Sequence, residues 1–153
     1  MASLSNSHSS RRGSNFKLDP LPKQGLQEIP EYKTEGTIIT DAMVLNATQI
    51  RDFKKISELV LTTLKIDFLN YGNSALEQLL RLRKLDLSFN KIAIIQNLNG
   101  LKMLTHLNLS YNPILELSEL ILPSLTHLKL DGCKISKIDN QFRVCKNLQV
   151  LSL

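Results

Sequence analysis

Three stretches of this chain carry one pattern in register: Leu82-Arg-Lys-Leu85-Asp-Leu87-Ser-Phe-Asn90-Lys-Ile92, Leu104-Thr-His-Leu107-Asn-Leu109-Ser-Tyr-Asn112-Pro-Ile114 and Leu125-Thr-His-Leu128-Lys-Leu130-Asp-Gly-Cys133-Lys-Ile135. Their first leucines lie 22 and 21 residues apart. A unit this short cannot bury its own apolar face, so it must stack on a copy of itself, and a fixed period in this range predicts a solenoid of coils. A degenerate copy precedes them, Ile56-Ser-Glu-Leu59-Val-Leu61-Thr-Thr-Leu64-Lys-Ile66, with Leu64 where the others place Asn or Cys. A fifth copy begins at Leu148-Gln-Val-Leu151-Ser-Leu153 and stops inside the repeat, which leads us to expect a fragment or short isoform.

The Leu-x-Leu heart of each unit reads as a short parallel strand with alternate side chains turned into the stack. Leu85 and Leu87, Leu107 and Leu109, and Leu128 and Leu130 then form two internal columns, each buried leucine contributing roughly 1.5–3 kcal/mol. Asn90 and Asn112 follow where the chain leaves the strand, and their amides can satisfy backbone groups that stacking would strand. Cys133 substitutes as a small buried polar side chain. We read all three as structural. The expected fold class is thus α/β, a leucine-rich-repeat solenoid with a short parallel concave sheet, 3₁₀ or helical convex turns and an N-terminal helical cap.

The convex turns are expected where Ile95, Leu98 and Leu101 recur every three residues, and where Ser74 and Glu77 have the spacing of a capping box. The N-terminal cap is expected from Ile38 onward, as a helix with Thr40 as N-cap, Asp41 in the positive first turn, and Ile39, Met43 and Ile50 facing inward. The domain reading is a basic Ser/Pro-rich disordered tail over 1–35, a cap over 36–55 and repeats over 56–153.

The run from Leu82 to Leu101, Leu-x-x-Leu-x-Leu-x-x-Asn-x-Ile-x-x-Ile-x-x-Leu-x-x-Leu, resembles the 22-residue leucine-rich-repeat subclass typified by a regulatory subunit of protein phosphatase 1. Upstream, Ile39-Thr40-x-Ala42-x-Val44-Leu45-x-x-Thr48 leading into Ile56-x-x-Leu59-x-Leu61 resembles the cap of centriolin-like centrosomal and ciliary repeat proteins. The second resemblance implies a docking module or scaffold at a cytoskeletal, centrosomal or ciliary structure. The first implies the alternative of a phosphatase regulatory subunit. A ribonucleoprotein assembly factor is a third reading.

Specificity must lie between the leucines. Those side chains point out of the concave sheet in columns: Glu58, Lys84, His106, His127 and Val150 in one, and Val60, Asp86, Asn108, Lys129 and Ser152 in the next. Thr62, Ser88, Ser110 and Asp131 follow, flanked by Thr63, Phe89, Tyr111 and Gly132. An exposed Phe89–Tyr111 pair ringed by polar groups has the makings of a protein-binding anchor. Lys84, Asp86, Phe89, His106, Asn108, Tyr111, His127, Lys129 and Asp131 are therefore the candidate partner-binding residues. His106 and His127 stand close enough to share a metal, yet beyond Asp131 no further ligand is evident, so we assign neither metal nor cofactor. Their protonation would make binding depend on pH.

The net charge of +5 does not point to nucleic acid, because Arg11, Arg12 and Lys17 supply +3 of it ahead of any acidic residue. Arg11-Arg12-Gly13-Ser14 has the form that resembles a basophilic kinase site, making Ser14 a candidate phosphosite. The same Ser-rich, Arg-containing start shares its composition with organellar transit peptides, a lesser alternative to a cytoplasmic tail. No run of about 18 uncharged apolar residues predicts a membrane span. Cys133 and Cys145 lack metal or disulfide spacing, which suits a reducing compartment, and with no secretory h-region in the sequence the triplets at Asn46 and Asn108 are read as chance matches to a glycosylation site. No phosphate loop, nucleophile elbow or zinc-protease motif is present, and an open sheet offers no enclosed pocket for a small-molecule substrate. We expect no enzyme.

Overall fold

A computed structural model describes residues 36–69, 75–118, 120–138 and 140–153, all within the unit Thr34–Leu153. The tail reading of residues 1–35, with Ser14, and the capping residue Ser74 lie outside the described residues. The element order is β1 (Thr37–Ile38), α1 (Asp41–Thr48), a 3₁₀ turn (Phe53–Lys55), β2 (Glu58–Val60), β3 (Ile66–Phe68), a second 3₁₀ turn (Ala75–Gln78), β4 (Lys84–Asp86), β5 (His106–Asn108), β6 (His127–Lys129) and β7 (Val150–Ser152).

Strands β2, β4, β5, β6 and β7 form one parallel sheet in chain order. Its register aligns Leu59, Leu85, Leu107, Leu128 and Leu151 strand on strand. Leu59, Leu85, Leu107 and Leu128 are buried together with Leu61, Leu87, Leu109 and Leu130. This is the stacked, parallel α/β solenoid of leucine-rich repeats.

The return segments bury a third leucine set through turns that repeat from coil to coil. Leu101 N–H donates to Leu98 C=O and Leu104 N–H to Leu101 C=O; the same pairs recur at Leu76, Leu79 and Leu82 and at Phe142, Cys145 and Leu148. Each bond spans three residues, so every third side chain turns inward. The Ile95–Leu101 return is a series of short turns, as the three-residue spacing suggests.

The cap begins as the sequence implies: Thr40 Oγ1 accepts from Met43 N–H at 3.3 Å, with Asp41 in the first turn of α1. Ile39 is buried and Met43 faces the core as expected, but Ile50 does not. Val44 is fully buried and Met43 packs partly on the core, whereas Ile50 is 38% exposed. Gln49 stops the helix in the left-handed conformation, with φ 59°, before Ile50 can continue the apolar stripe. A second, two-stranded sheet pairs β1 with β3, where Gly36 lies so close to Phe68 that an added Cβ would stand 2.3 Å from the ring.

Asn90 and Asn112 join neighbouring coils. Asn90 Oδ1 accepts from Leu64 N–H at 3.0 Å and Ile66 N–H at 3.1 Å, while its Nδ2 donates to Leu61 C=O at 2.7 Å and Leu87 C=O at 2.9 Å. Asn112 Oδ1 accepts from Ile92 N–H at 3.0 Å, and its Nδ2 donates to Leu87 and Leu109 C=O, each at 2.9 Å. Cys133 is half-buried rather than enclosed, and its thiol donates to Leu109 C=O at 3.4 Å. One thiol donates where an amide both donates and accepts, so this coil is held by fewer bonds.

Candidate functional site on the open face of the sheet

The register that aligns the leucines inside also aligns the variable residues outside. Glu58, Lys84, His106, His127 and Val150 are strand-to-strand partners, as are Val60, Asp86, Asn108, Lys129 and Ser152. A shallow groove of about 360 Å³ runs over them, lined by residues from Glu58 to Lys129.

Beyond the strands, Thr63, Phe89, Tyr111 and Gly132 occupy equivalent positions, all with φ between 58° and 67°. Neighbouring coils hold this left-handed backbone in place: Phe89 N–H donates to Ser110 C=O at 3.0 Å and Tyr111 N–H to Asp131 C=O at 2.7 Å. The side chains are thereby thrown outward. Phe89 and Tyr111 stack with centroids 4.4 Å apart and planes 13° from parallel, yet remain 55% and 54% exposed. Burying them would supply binding energy that folding has left unused.

Between strands and aromatics runs a chain of polar contacts. Asp86 Oδ1 accepts from the Ser88 hydroxyl at 2.6 Å and Ser88 N–H at 2.9 Å, and Asp86 Oδ2 accepts from Asn108 Nδ2 at 3.0 Å. Asn108 Oδ1 accepts from Ser110 N–H at 3.1 Å; the Ser110 hydroxyl donates to Asp131 at 3.1 Å, and the Ser152 hydroxyl donates to the other oxygen of Asp131. Hydrogen bonding by Ser152 above all, and then by Ser110, holds the Asp131 carboxyl below its ordinary range.

His106 and His127 stack with centroids 4.3 Å apart and planes 7° from parallel. Each Nδ1 lies 2.9 Å from the hydroxyl of the preceding threonine, Thr105 or Thr126, and each hydroxyl is also 2.9 Å from a backbone carbonyl of the preceding coil. Burial lowers the basicity of His106, with His127 and then Lys84 adding to the effect and Glu58 opposing it. Glu58 meanwhile holds Lys84 Nζ at 2.8 Å. Among the described residues, no group of three or more His, Cys, Asp or Glu side chains is placed to hold a metal. Burial also pushes the Cys133 thiol up, and Cys133 and Cys145 are free thiols.

The nine candidate binding residues thus lie on three adjacent strands and the turns after them. The contributions of Thr105 and Thr126 were missed in the sequence, although Thr-His stands twice at the same place in the repeat. Gly132 was noted as a member of its column but not as the floor beneath Tyr111.

Residues 80–122 match the family Leucine Rich repeats (2 copies). No curated protein matches the chain. Among the described residues, no helix is long and apolar enough to cross a membrane. Leucine-rich-repeat domains generally mediate protein–protein interaction, and their solenoid typically serves as a non-catalytic scaffold.

Proposed function

We propose that this chain is a non-catalytic docking module or scaffold that holds a protein partner on the open face of its five-stranded sheet. The observation that carries this reading is the exposed Phe89–Tyr111 stack, held outward by left-handed backbone beside a shallow groove. A rigid aromatic pair with polar residues around it is the arrangement on which protein interfaces concentrate binding energy. The proposed setting is cytoplasmic, at a centrosomal, ciliary or other cytoskeletal structure, supported by the resemblance of the cap segment between Ile39 and Leu61. A regulatory subunit of protein phosphatase 1 is the second reading, favoured by the 22-residue repeat beginning at Leu82.

Photo-cross-linking tests the surface and both settings. A benzophenone side chain at position 89 should cross-link a discrete protein in cells, while one at the exposed return residue Lys102 should not. Equal yields from the two positions, or none from position 89, would remove the open face as the docking surface. Phosphatase catalytic subunit in the adduct selects the second reading, and a centrosomal or ciliary protein the first.

A further inference from the structure

The charged groups of the open face differ in how far the fold already satisfies them. Asp86 accepts three hydrogen bonds, Asp131 accepts from two serine hydroxyls, and Glu58 is paired with Lys84. The donors on the same face are less engaged. Among the described residues, neither Lys129 Nζ nor the Nε2 atom of His106 or His127 has a hydrogen-bond or ion-pair partner, since the threonines meet the imidazoles at Nδ1. Unfilled capacity on this surface is therefore cationic at Lys129 and becomes donating at both Nε2 atoms when the rings are protonated.

The stacked geometry gives that capacity a shape. Thr105 and Thr126 orient the two rings alike, so two Nε2 atoms face outward side by side on adjacent strands. Each threonine supports both forms that present Nε2–H. Its hydroxyl can donate to Nδ1 of the neutral ring, or accept from Nδ1–H of the imidazolium while donating to the carbonyl beside it. The ring can gain a proton without losing a contact.

Resting on the reading of this face as a docking surface, we propose that His106 and His127, with Lys129 beside them, form a carboxylate-reading site for an acidic peptide segment of the partner, and that docking tightens on acidification. A carboxylate has two oxygens and accepts from both Nε2–H groups at once, replacing the mutual repulsion of two imidazolium rings with attraction to a shared anion. The groups facing the pair are Glu58 on β2, Lys84 and Asp86 on β4, Asn108 on β5, Lys129 on β6 and Val150 on β7. Of the two carboxylates among them, Glu58 is occupied by Lys84 and Asp86 by Ser88 and Asn108.

The sign of the pH effect follows from the free protein. Burial and its charged neighbours make His106 less basic than an ordinary imidazole, so a carboxylate arriving beside this ring favours uptake of a proton there. Binding therefore strengthens as pH falls toward the lowered His106 value.

The test measures binding of fluorescein-labelled hexaglutamate to the full chain at pH 7.5 and 5.5, with hexalysine and a phosphoserine peptide as comparators. Hexaglutamate should bind at least about tenfold tighter at pH 5.5, one unit of differential protonation. In the His106→Gln/His127→Gln variant, which keeps polar side chains and every other basic residue, the pH response should vanish. Imidazole NMR supplies an independent readout: the peptide should raise the titration midpoints of both histidines. An unchanged pH response in the variant, unmoved midpoints, preference for hexalysine, or binding of the phosphopeptide alone would each overturn the proposal. If position 89 still cross-links a partner while any of these holds, the docking surface stands and the carboxylate site falls.

Discussion

The ring of Tyr111 lies so close to Gly132 that a Cβ added to the glycine would stand 2.7 Å from Tyr111 Cδ1. Phe89 covers Tyr111 from the preceding coil, so three coils contribute to one stack. Gly132 also has φ 67°, a backbone that costs a residue with a side chain about 1–2 kcal/mol. Gly132→Ala should destabilise by at least that amount and tilt the Tyr111 ring, measured by urea unfolding and by near-ultraviolet circular dichroism of the native state.

Phe89 presents the converse case, because an aromatic residue already occupies left-handed backbone, with φ 58°. Phe89→Gly relieves about 1–2 kcal/mol of strain and gives up about 0.5–1.5 kcal/mol of stacking, with chain entropy taking most of the remainder. Stability should change by less than about 1 kcal/mol as those terms cancel. Partner capture, read with a benzophenone side chain at position 111 in both backgrounds, should fall at least about tenfold, the loss of roughly 1.4 kcal/mol of binding energy. A variant that loses stability but keeps its capture would show the ring to be a cover for the strand ends.

Asn112→Ala removes the only acceptor shown for Ile92 N–H and one of the donors serving each of the Leu87 and Leu109 carbonyls. The expected loss is roughly 2–3 kcal/mol, set mainly by the orphaned amide. Asn112→Asp keeps an acceptor but turns charge toward two carbonyls, so its carboxyl should titrate high and the variant should regain stability as pH falls. Urea midpoints at pH 7 and pH 5 check both statements.

Hydrogen bonds from serine hydroxyls favour the charged form of the Asp131 carboxyl and hold it below the ordinary carboxylate range. A depressed carboxyl binds fewer protons folded than unfolded, so its contribution is complete above the unfolded value and is lost as pH falls through the folded one. Ser152→Ala should move the Asp131 midpoint up toward 3.8, and carboxyl NMR titration reads the shift directly. Wild-type contacts between β6 and β7 should accordingly loosen only below about pH 4.

How much of this was legible in the chain depends on which residues repeat. The leucines at Leu82, Leu104 and Leu125 announce the coils, and their spacing places Lys84 beside His106 and Phe89 beside Tyr111 before any coordinates are known. Features carried by one residue were harder to read. Nothing local marks Gln49 as the residue that ends α1 and leaves Val44, not Ile50, in the core. Pairing of Thr37–Ile38 with Ile66–Phe68 joins segments far apart in the chain, and two residues are too few for an alternating pattern. Left-handed backbone at Phe89 and Tyr111 had a single sign, the glycine in the same column at Gly132. The role of the threonines needed hydroxyl and imidazole positions that a motif does not contain.

The side chains that follow the strands, Asn90, Asn112 and Cys133, all bond to the coil before their own. Asn90 reaches back to Leu61, Leu64 and Ile66, Asn112 reaches back to Leu87 and Ile92, and the Cys133 thiol reaches back to Leu109. A chain leaving the ribosome N-terminus first therefore exposes each coil before the residue that latches it has been made. The coils latched by Asn90, Asn112 and Cys133 each wait for the next, so these contacts close one repeat behind synthesis.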